Sequence, residues 1–421
     1  MKPKRRVVTH GKGPGPAGGS GGGAGGASGR PRRTPTVRTI RSAIVEPKGA
    51  RPKGVGASRA GPTASGSGAP GSSPIVALGS PAIAPVAPGG GRSGAPAGFD
   101  PGAVDLTVDL GRGLVLANPI LAASGTFGYG VEYADVVDVQ RIGAICCKGT
   151  TLRPRAGNRP PRVTETPGGM LNSIGLQNPG IDAVLERYAP LWATWKVPVI
   201  VNVAGESIED YVGVVRRLDL VPGVAGVELN ISCPNVGKGG LQFAIDGDAA
   251  AAVTRAVRRA TELPLIVKLS PNVADIRPIA RAVADAGADA LSAINTLSGM
   301  ALRADRTGPF LGNTYGGLSG PAIKPVALRI VYEVAQVVGI PIIAIGGVTG
   351  IDDVLDYLAA GAVAVQVGTA IFADPTLPVR LVDALAGECA RRGLASYGAL
   401  IGTALPRRPD AASAKGVEYR P

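Results

Sequence analysis

One cysteine stands where a side chain could act on a small molecule. Cys233 lies in the segment NISCPNVGKGG, directly after an apolar run and at the start of a glycine-rich loop that could close over a ligand. The only histidine, His10, is far away in a stretch of different composition, so any proton transfer in the folded part must proceed without an imidazole. Cysteine becomes a usable base when nearby cations or amides lower its pKa. We predict that Cys233 is the base, whereas Cys146, Cys147 and Cys389 are small core residues.

Two glycine-containing turns indicate a phosphate site. Gly346-Gly347 and Gly368-Thr369 follow the last two apolar runs of the chain, where barrel enzymes commonly hold a phosphate on backbone N–H groups and a helix N-terminus. A single glycine after a strand is common in turns and is weak evidence. The prediction rests on the occurrence of such turns after both of the last two apolar runs. No GxGxxG follows the first apolar run, and FMN therefore fits better than a dinucleotide.

Two lysines end apolar runs, which is a costly place for an ammonium group unless an anion or a polar ligand meets it. They are Lys148 and Lys268. We predict that one of them, Lys268, lies against the pyrimidine edge of the flavin and stabilises its reduced form electrostatically. A structural salt bridge is the alternative.

Four asparagines add amide groups that can both donate and accept hydrogen bonds. Asn172, Asn230, Asn235 and Asn295 suit an imide or uracil-like ring better than a sugar or a lipid. Any one of them could be a turn residue, so the cluster is the signal.

Eight apolar runs must position these side chains. They alternate with amphipathic stretches, which is typical of successive βα units, and we predict an α/β fold, a closed (β/α)8 TIM barrel, with a doubly wound open sheet as the alternative. The predicted strands are 119–123, 144–148, 198–203, 226–230, 264–269, 290–295, 341–345 and 362–367, and the predicted helices include 181–195, 208–218, 248–262, 275–286, 323–338 and 351–360. The residues that close the runs, where the active site of such a barrel lies, are Ser124, Lys148, Asn202, Asn230, Lys268, Asn295, Gly346 and Gly368.

Composition divides the chain sharply. Residues 1–98 are rich in Gly, Pro, Ala and Ser, and we expect them to be disordered, before a catalytic barrel at 99–405 and a flexible tail at 406–421. The first segment holds 15 of the 44 Lys and Arg but only one of the 31 acids, so the net charge of +13 belongs to it alone. Specific nucleic-acid binding is therefore not expected.

The N-terminal segment also bears on localisation. The start MKPKRR lacks a following apolar region, and prolines break the run near residues 75–88, so we predict neither a signal peptide nor a membrane span. An organellar transit peptide is disfavoured by the density of Gly and Pro. Four cysteines without paired spacing indicate free thiols and a cytoplasmic protein.

At these residues the sequence resembles the class 1 dihydroorotate dehydrogenases, and in particular their NAD-linked 1B branch. The motifs that carry the resemblance run from about residue 105 to 390 and are LNSIGLQNPG, NISCPN, INTLSGM, GGLSGPAIKPVALR and VGTAIFADP. The membrane-bound class 2 is excluded, because it uses a serine base and an N-terminal membrane helix. The fumarate-linked class 1A is an alternative, although IGLQNPG and INTLSGM look like 1B.

The resemblance implies a cofactor, a substrate and a mechanism in pyrimidine biosynthesis. FMN would contact Ser124, Lys148, Gly149, Asn202, Asn230, Lys268, Ile294, Gly320, Gly346, Gly347, Gly368 and Thr369. Dihydroorotate would be held by Lys148, Asn172, Ser173, Ile174, Gly175, Leu176, Asn230, Asn235, Asn295 and Thr296. Cys233 would remove the C5 proton while hydride leaves C6 for FMN. No metal site is implied.

The 1B resemblance also implies a partner. The chain has neither a cysteine cluster for iron–sulfur ligation nor a dinucleotide fingerprint, so an electron-transfer subunit with FAD and a 2Fe–2S cluster would pass electrons to NAD+, in a heterotetramer of two subunits of each kind. A dihydropyrimidine dehydrogenase-like enzyme is a further alternative, which Asn235 disfavours. A non-enzymatic nucleic-acid-binding or scaffold protein with a basic tail is the remaining one.

Overall fold

The eight apolar runs form eight parallel strands that close into one barrel. The computed structural model describes residues 100–232 and 243–406. In chain order the barrel strands β1–β8 are Ile120–Ala122, Ala144–Thr150, Val199–Val203, Val224–Asn230, Leu265–Leu269, Ala290–Ala293, Ile342–Ile345 and Ala364–Val367. Each strand pairs with its neighbour in the chain, and β8 pairs with β1 through Val365 and Ile120. The predicted (β/α)8 barrel is therefore confirmed, and the open doubly wound sheet is wrong.

Helices connect most of the strands and cover the outside of the barrel. Helices α1–α8 are Ile181–Arg187, Ala189–Trp192, Ile208–Leu218, Gly247–Arg258, Arg277–Asp285, Lys324–Ala335, Ile351–Ala359 and Leu377–Arg391. The connection from β1 to β2, which the structure describes throughout, contains only the 3-10 turn Val139–Arg141. The single helix predicted over 181–195 is wrong: the chain is interrupted at Tyr188 (φ −113°), where Pro190 has no N–H to continue the helix.

The strands are buried on both faces, as expected for a parallel sheet covered by helices. All five residues of β3 and all five of β5 are buried, which explains why these strands are nearly continuous apolar runs. A short hairpin of Val108–Asp109 and Val115–Leu116 packs at the N-terminal end of the barrel, where a Cβ on Gly226 would contact Leu114. Within the described residues, no helix has the length and apolar character needed to cross a membrane.

A second sheet stands at the C-terminal ends of the strands, and the sequence analysis did not predict it. It has four antiparallel strands in the order Leu297–Gly299, Gly316–Ser319, Gly169–Asn172 and Val163–Thr166. Two of these strands come from the connection after β2 and two from the connection after β6. The sheet therefore joins segments from different sides of the barrel mouth.

The expected disorder of residues 1–98 and the expected flexibility of 406–421 concern segments that lie, apart from residue 406, outside the described residues. Both stay predictions, as does the domain division built on them.

Candidate active site

The side chains that end the barrel strands are brought to the mouth by local backbone geometry. In β2 the register with β3 shifts between Cys147 and Thr150, so the irregularity falls at Lys148-Gly149. Such a bulge re-aims the side chain that it carries. The Lys148 amide donates to Gly128 O at 2.7 Å, which ties the bulge to the loop after β1. Among the described residues, Lys148 has no carboxylate within ion-pair distance.

The second lysine, Lys268, lies inside the barrel and is buried. Its Nζ lies 3.5 Å from Oε1 of Glu228, a fully buried carboxylate of β4. The structural salt bridge considered as an alternative is thus present. A contact between Lys268 and a flavin stays a prediction.

Glu228 is the centre of a polar layer that the sequence analysis missed. Its carboxylate accepts hydrogen bonds from four side chains of different strands, and the donors are Cys146 Sγ (3.1 Å), Asn202 Nδ2 (2.7 Å), Ser292 Oγ (2.8 Å) and Gln366 Nε2 (2.9 Å). Burial pushes the pKa of Glu228 upward, but Lys268 and the hydrogen bonds from Cys146, Gln366 and Ser292 outweigh it and hold the pKa below its ordinary value. The carboxylate is therefore ionised. Cys146 is buried, as predicted, but its thiol also serves this layer.

Asn202 presents an acceptor beside Gly149. Because its Nδ2 donates to Glu228, its Oδ1 points the other way and has no hydrogen-bond partner among the described residues, although it is buried. A Cβ on Gly149 would lie 3.0 Å from this oxygen, so a glycine is required for the close approach. A buried, unpartnered acceptor is costly unless a ligand satisfies it. Asn202 and Gly149, both predicted to contact the cofactor, therefore lie together.

The predicted phosphate-binding residues also meet. A Cβ on Gly347 would lie 3.0 Å from Gly320 O, and Gly347 itself has φ +68°. Thr369 Oγ1 donates to Ser319 Oγ at 2.8 Å, which brings the loop after β8 to the same place. The backbone N–H groups of Gly347 and Thr369 have no acceptor among the described residues. Free N–H groups on adjoining loops are what a phosphate requires.

The helix N-terminus expected at the Gly346-Gly347 site stays a prediction. Just before α7, Asp353 accepts from the amides of Thr349 and Gly350, the two residues that precede the helix. After β8 only the short 3-10 turn Thr369–Phe372 follows before α8.

The remaining predicted cofactor residues lie next to the loops of Gly347 and Thr369. A Cβ on Gly368 would lie 3.5 Å from Ala123, the residue before Ser124, and Gly346 O accepts a hydrogen bond from Tyr357. Ile294 N donates to Ile345 O, next to Gly346.

Most of the predicted substrate residues form a second group at the mouth. Asn295 Nδ2 donates to Asn230 Oδ1 at 3.2 Å, and Asn295 Oδ1 accepts from Thr296 N at 2.8 Å. Asn172 Nδ2 donates to Gly317 O at 3.3 Å, and a Cβ on Gly317 would lie only 2.0 Å from Thr296 Oγ1. The antiparallel sheet thus brings Asn172 beside the ends of β4 and β6.

The segment after Asn172 extends this group of predicted substrate residues toward the predicted cofactor residues. Ser173 Oγ and Ile174 O both accept from Asn158, through its Nδ2 and its backbone amide, while Gly175 (φ +73°) packs tightly against the same residue. Leu176 Cδ2 lies 3.4 Å from the position of a Cβ on Gly149. The predicted substrate and cofactor residues therefore border each other at Leu176 and Gly149.

Cys233 and Asn235 lie outside the described residues, so their roles stay predictions. The preceding residue is described: Ser232 N donates to Asn230 Oδ1 at 3.2 Å. No group of three or more His, Cys, Asp or Glu side chains within the described ranges could hold a metal ion.

A closed parallel barrel with convergent polar groups at its strand ends defines a (β/α)8-barrel enzyme. The family model for dihydroorotate dehydrogenase matches residues 107–388. The chain is 53% identical over 298 residues to the catalytic subunit of dihydroorotate dehydrogenase B (NAD(+)) from Geotalea daltonii, covering 71% of this chain and 97% of that protein. The corresponding subunit from Geobacter sulfurreducens is 54% identical over 299 residues, with the same coverage. The chain therefore belongs to the dihydroorotate dehydrogenase family, as its motifs indicated.

A solved structure agrees on the fold. DHODH from Eimeria tenella in complex with ferulenol superimposes with a TM-score of 0.60 at 21% sequence identity, covering 71% of this chain and 88% of that one. At this identity the likeness concerns the barrel architecture alone.

Proposed function

We propose that this chain oxidises (S)-dihydroorotate to orotate in pyrimidine biosynthesis, with FMN as its cofactor. The observation that carries the proposal concerns one barrel mouth. The backbone N–H groups of Gly347 and Thr369, which have no acceptor among the described residues, lie at the same mouth as the amide cluster of Asn230 and Asn295. Relatives above 50% identity that bear the name of this enzyme support it.

The residues at the mouth fit FMN. The loops of Gly320, Gly346-Gly347 and Gly368-Thr369 would hold the phosphate on their amides. The unpartnered Asn202 Oδ1 is a buried acceptor that suits a ring N–H of the isoalloxazine, and Lys268 would face the pyrimidine edge, where negative charge collects on reduction. When bound, FMN supplies the acceptor for the hydride that leaves C6 of the substrate.

The protein's own groups would hold the substrate and remove its proton. Asn172, Asn230, Asn295 and Thr296 offer donors and acceptors to the substrate's ring amides, and Lys148, which has no carboxylate partner among the described residues, is free to meet an anionic group. In the sequence, Cys233 comes three residues after Asn230, the last residue of β4. It would take the C5 proton as thiolate. Asn235 would join the substrate site.

The electrons require a partner subunit. We propose that a subunit carrying FAD and a 2Fe–2S cluster transfers them to NAD+, in a heterotetramer with two catalytic chains. The relatives' name, catalytic subunit of an NAD(+) enzyme, supports a partner of this kind. The free buried thiols Cys146, Cys147 and Cys389 suit a reducing compartment, and we propose the cytoplasm.

Substitution of the base tests the chemistry. In Cys233→Ala, orotate formation with an artificial electron acceptor near neutral pH should fall by about 100-fold or more, within the range of general-base catalysis, while the yellow FMN-bound protein is retained. Cys389→Ala is the matched control: this thiol is buried in α8, and its removal should leave turnover unchanged. Unchanged turnover in Cys233→Ala would contradict the proposed mechanism.

The electron acceptor separates the two subclasses. The purified chain, once reduced by dihydroorotate without oxygen, should stay reduced when NAD+ alone is added and regain its colour when the partner subunit is supplied with NAD+. Recovery with fumarate alone would instead indicate the class 1A activity. Reduction by dihydrouracil but not by dihydroorotate would indicate a dihydropyrimidine dehydrogenase-like enzyme.

A further inference from the structure

Glu228 lies outside every set of site residues predicted from the sequence, yet it joins side chains of several barrel strands. Its carboxylate contacts side chains of β2, β3, β5, β6 and β8, so six of the eight barrel strands meet at this group. It is fully buried. Burial of a carboxylate is costly unless its charge is paired and its oxygens are hydrogen-bonded, as they are here.

The layer around Glu228 contains few titratable groups. Lys268 is the cation within ion-pair distance of the carboxylate, and Cys146 is the other titratable donor; Asn202, Ser292 and Gln366 are neutral. Burial and the nearby carboxylate raise the pKa of the Cys146 thiol well above its usual range, so the thiol stays protonated. The charge of the layer is therefore set by Glu228 and Lys268.

Glu228 also determines how two amides point. A carboxylate can only accept hydrogen bonds, so Asn202 and Gln366 must both turn their nitrogens toward it. Their oxygens, Oδ1 and Oε1, are left buried without partners among the described residues. The Asn202 oxygen lies beside Gly149 at the mouth. Because Glu228 holds the amide nitrogen, it is the acceptor oxygen of Asn202 that faces the predicted cofactor site.

We propose that Glu228 is a positioning residue that sets the redox balance of the bound cofactor, by holding Lys268 in place, offsetting its charge and orienting the Asn202 amide. The inference rests on the proposed function in one respect, namely that FMN binds against Lys268. Loss of the carboxylate charge would leave the ammonium uncompensated next to the cofactor, and the reduced, more negative form would be favoured.

The test compares four holoenzymes: wild type, Glu228→Gln, Lys268→Met and the double variant. The midpoint potential of bound FMN, measured near pH 6.5, gives the ratio of the dissociation constants of oxidised and reduced FMN. We expect Glu228→Gln to raise this ratio by about tenfold or more, which corresponds to about 30 mV upward for a two-electron couple. Ser292→Ala, which removes a neutral donor to the same carboxylate, should change the ratio by less than about twofold.

The double variant shows whether Glu228 acts through Lys268. Without the lysine, burial should protonate the carboxyl, so Glu228→Gln in the Lys268→Met background should change the ratio by less than about threefold. An equal shift in both backgrounds, or an equal shift in Ser292→Ala, would overturn the inference.

Thermal unfolding of the apoproteins supplies a second readout that needs no FMN. In Glu228→Gln the ammonium group of Lys268 would be buried without a carboxylate partner, and a buried unpaired charge is strongly destabilising. The Tm of Glu228→Gln should therefore lie below that of wild type, and the double variant should be more stable than Glu228→Gln. A double variant no more stable than Glu228→Gln would overturn the inference. If the wild type binds no FMN, the proposed function fails, but this readout still decides the charge coupling.

Discussion

Asn230 and Asn295, which are 65 positions apart in the chain, share a hydrogen bond of 3.2 Å across the barrel mouth. Asn230 is the last residue of β4, and Asn295 follows β6 by two residues. Lys268 pairs in register with Asn230 on one side and with Ser292 on the other, so β5 separates the two asparagines. The bond shows that amides from alternate strands converge on one small volume, as binding an imide ring requires.

Asn295→Ala should weaken substrate binding without loss of the cofactor. The change removes a donor to Asn230 and an amide predicted to contact dihydroorotate, and we expect KM for dihydroorotate to rise by about 10- to 100-fold. Steady-state kinetics at saturating acceptor measure it, and the flavin spectrum reports the bound FMN.

Asn118→Ala is the matched control for Asn295→Ala. Asn118 is buried at the opposite end of the barrel, where its amide donates to Arg141 O and accepts from Ile120 N. The Asn118→Ala substitution should lower the free energy of unfolding by about 1–3 kcal/mol but leave KM for dihydroorotate unchanged. Equal KM effects in the two variants would mean that Asn295 acts only through stability.

Gly347→Ala should release FMN. A methyl group at this position would lie 2.8 Å from Lys324 Cβ and 3.0 Å from Gly320 O, and the backbone has φ +68°, so the adjoining loops must separate. We expect the dissociation constant of FMN to rise by about tenfold or more, as measured by fluorescence recovery of free FMN on dilution.

Gly350→Ala, three residues further on, is the matched control for Gly347→Ala. Nothing lies within 4 Å of its Cβ position, and its φ of −162° is open to any residue. FMN affinity should therefore be unchanged. Equal loss of FMN in both variants would argue against a phosphate site at Gly347.

Glu388 should make stability depend on acid pH. Its carboxylate accepts from Arg391 and Arg392, and the hydrogen bond from Arg391 is the main reason why its pKa falls to about 2 from an ordinary 4.5. A lowered folded pKa means that the stabilisation is complete above about 4.5 and is lost as pH falls through about 2. Both arginines are largely exposed, so solvent screening limits the effect to about 1 kcal/mol.

Thermal unfolding of wild type and Glu388→Gln checks this. The Tm difference should be constant from about pH 7 to 4.5, near 2 °C at most, and should shrink below that pH and at high salt. A difference that grows with acidification would contradict the assigned pKa direction.

The barrel was predictable because its strands are buried on both faces and therefore read as unbroken apolar runs between helices. The antiparallel sheet was not, because its strands are three or four residues long and rich in glycine, as in GMLN and GGLS. These strands are held by pairing with each other across the mouth, and the strands from the two connections are far apart in the sequence. A pattern of neighbouring residues therefore cannot indicate the pairing. Three of the four strands nevertheless lie wholly or partly within motifs that indicated the family, namely LNSIGLQNPG, INTLSGM and GGLSGPAIKPVALR.

Site residues were proposed from the sequence where a polar residue stands at or next to the end of an apolar run, as Asn230 does at the end of β4 and Asn202 does one residue before the end of β3. Glu228 was missed because it lies two residues before the end of β4, in VELN, where only the alternation of the strand shows that it points into the barrel. Its ion-pair partner Lys268 is 40 residues away. A polar residue inside an apolar barrel run, such as Glu228 or Gln366, was the signal available.

The most direct test of the proposed function is the visible spectrum of the purified chain, recorded without oxygen before and after addition of dihydroorotate. The account predicts a yellow protein whose flavin absorbance bleaches on addition of substrate, in the absence of any partner subunit. A yellow protein that dihydroorotate does not bleach would contradict the assignment of the substrate, and a colourless protein that takes up no FMN would contradict the cofactor site itself.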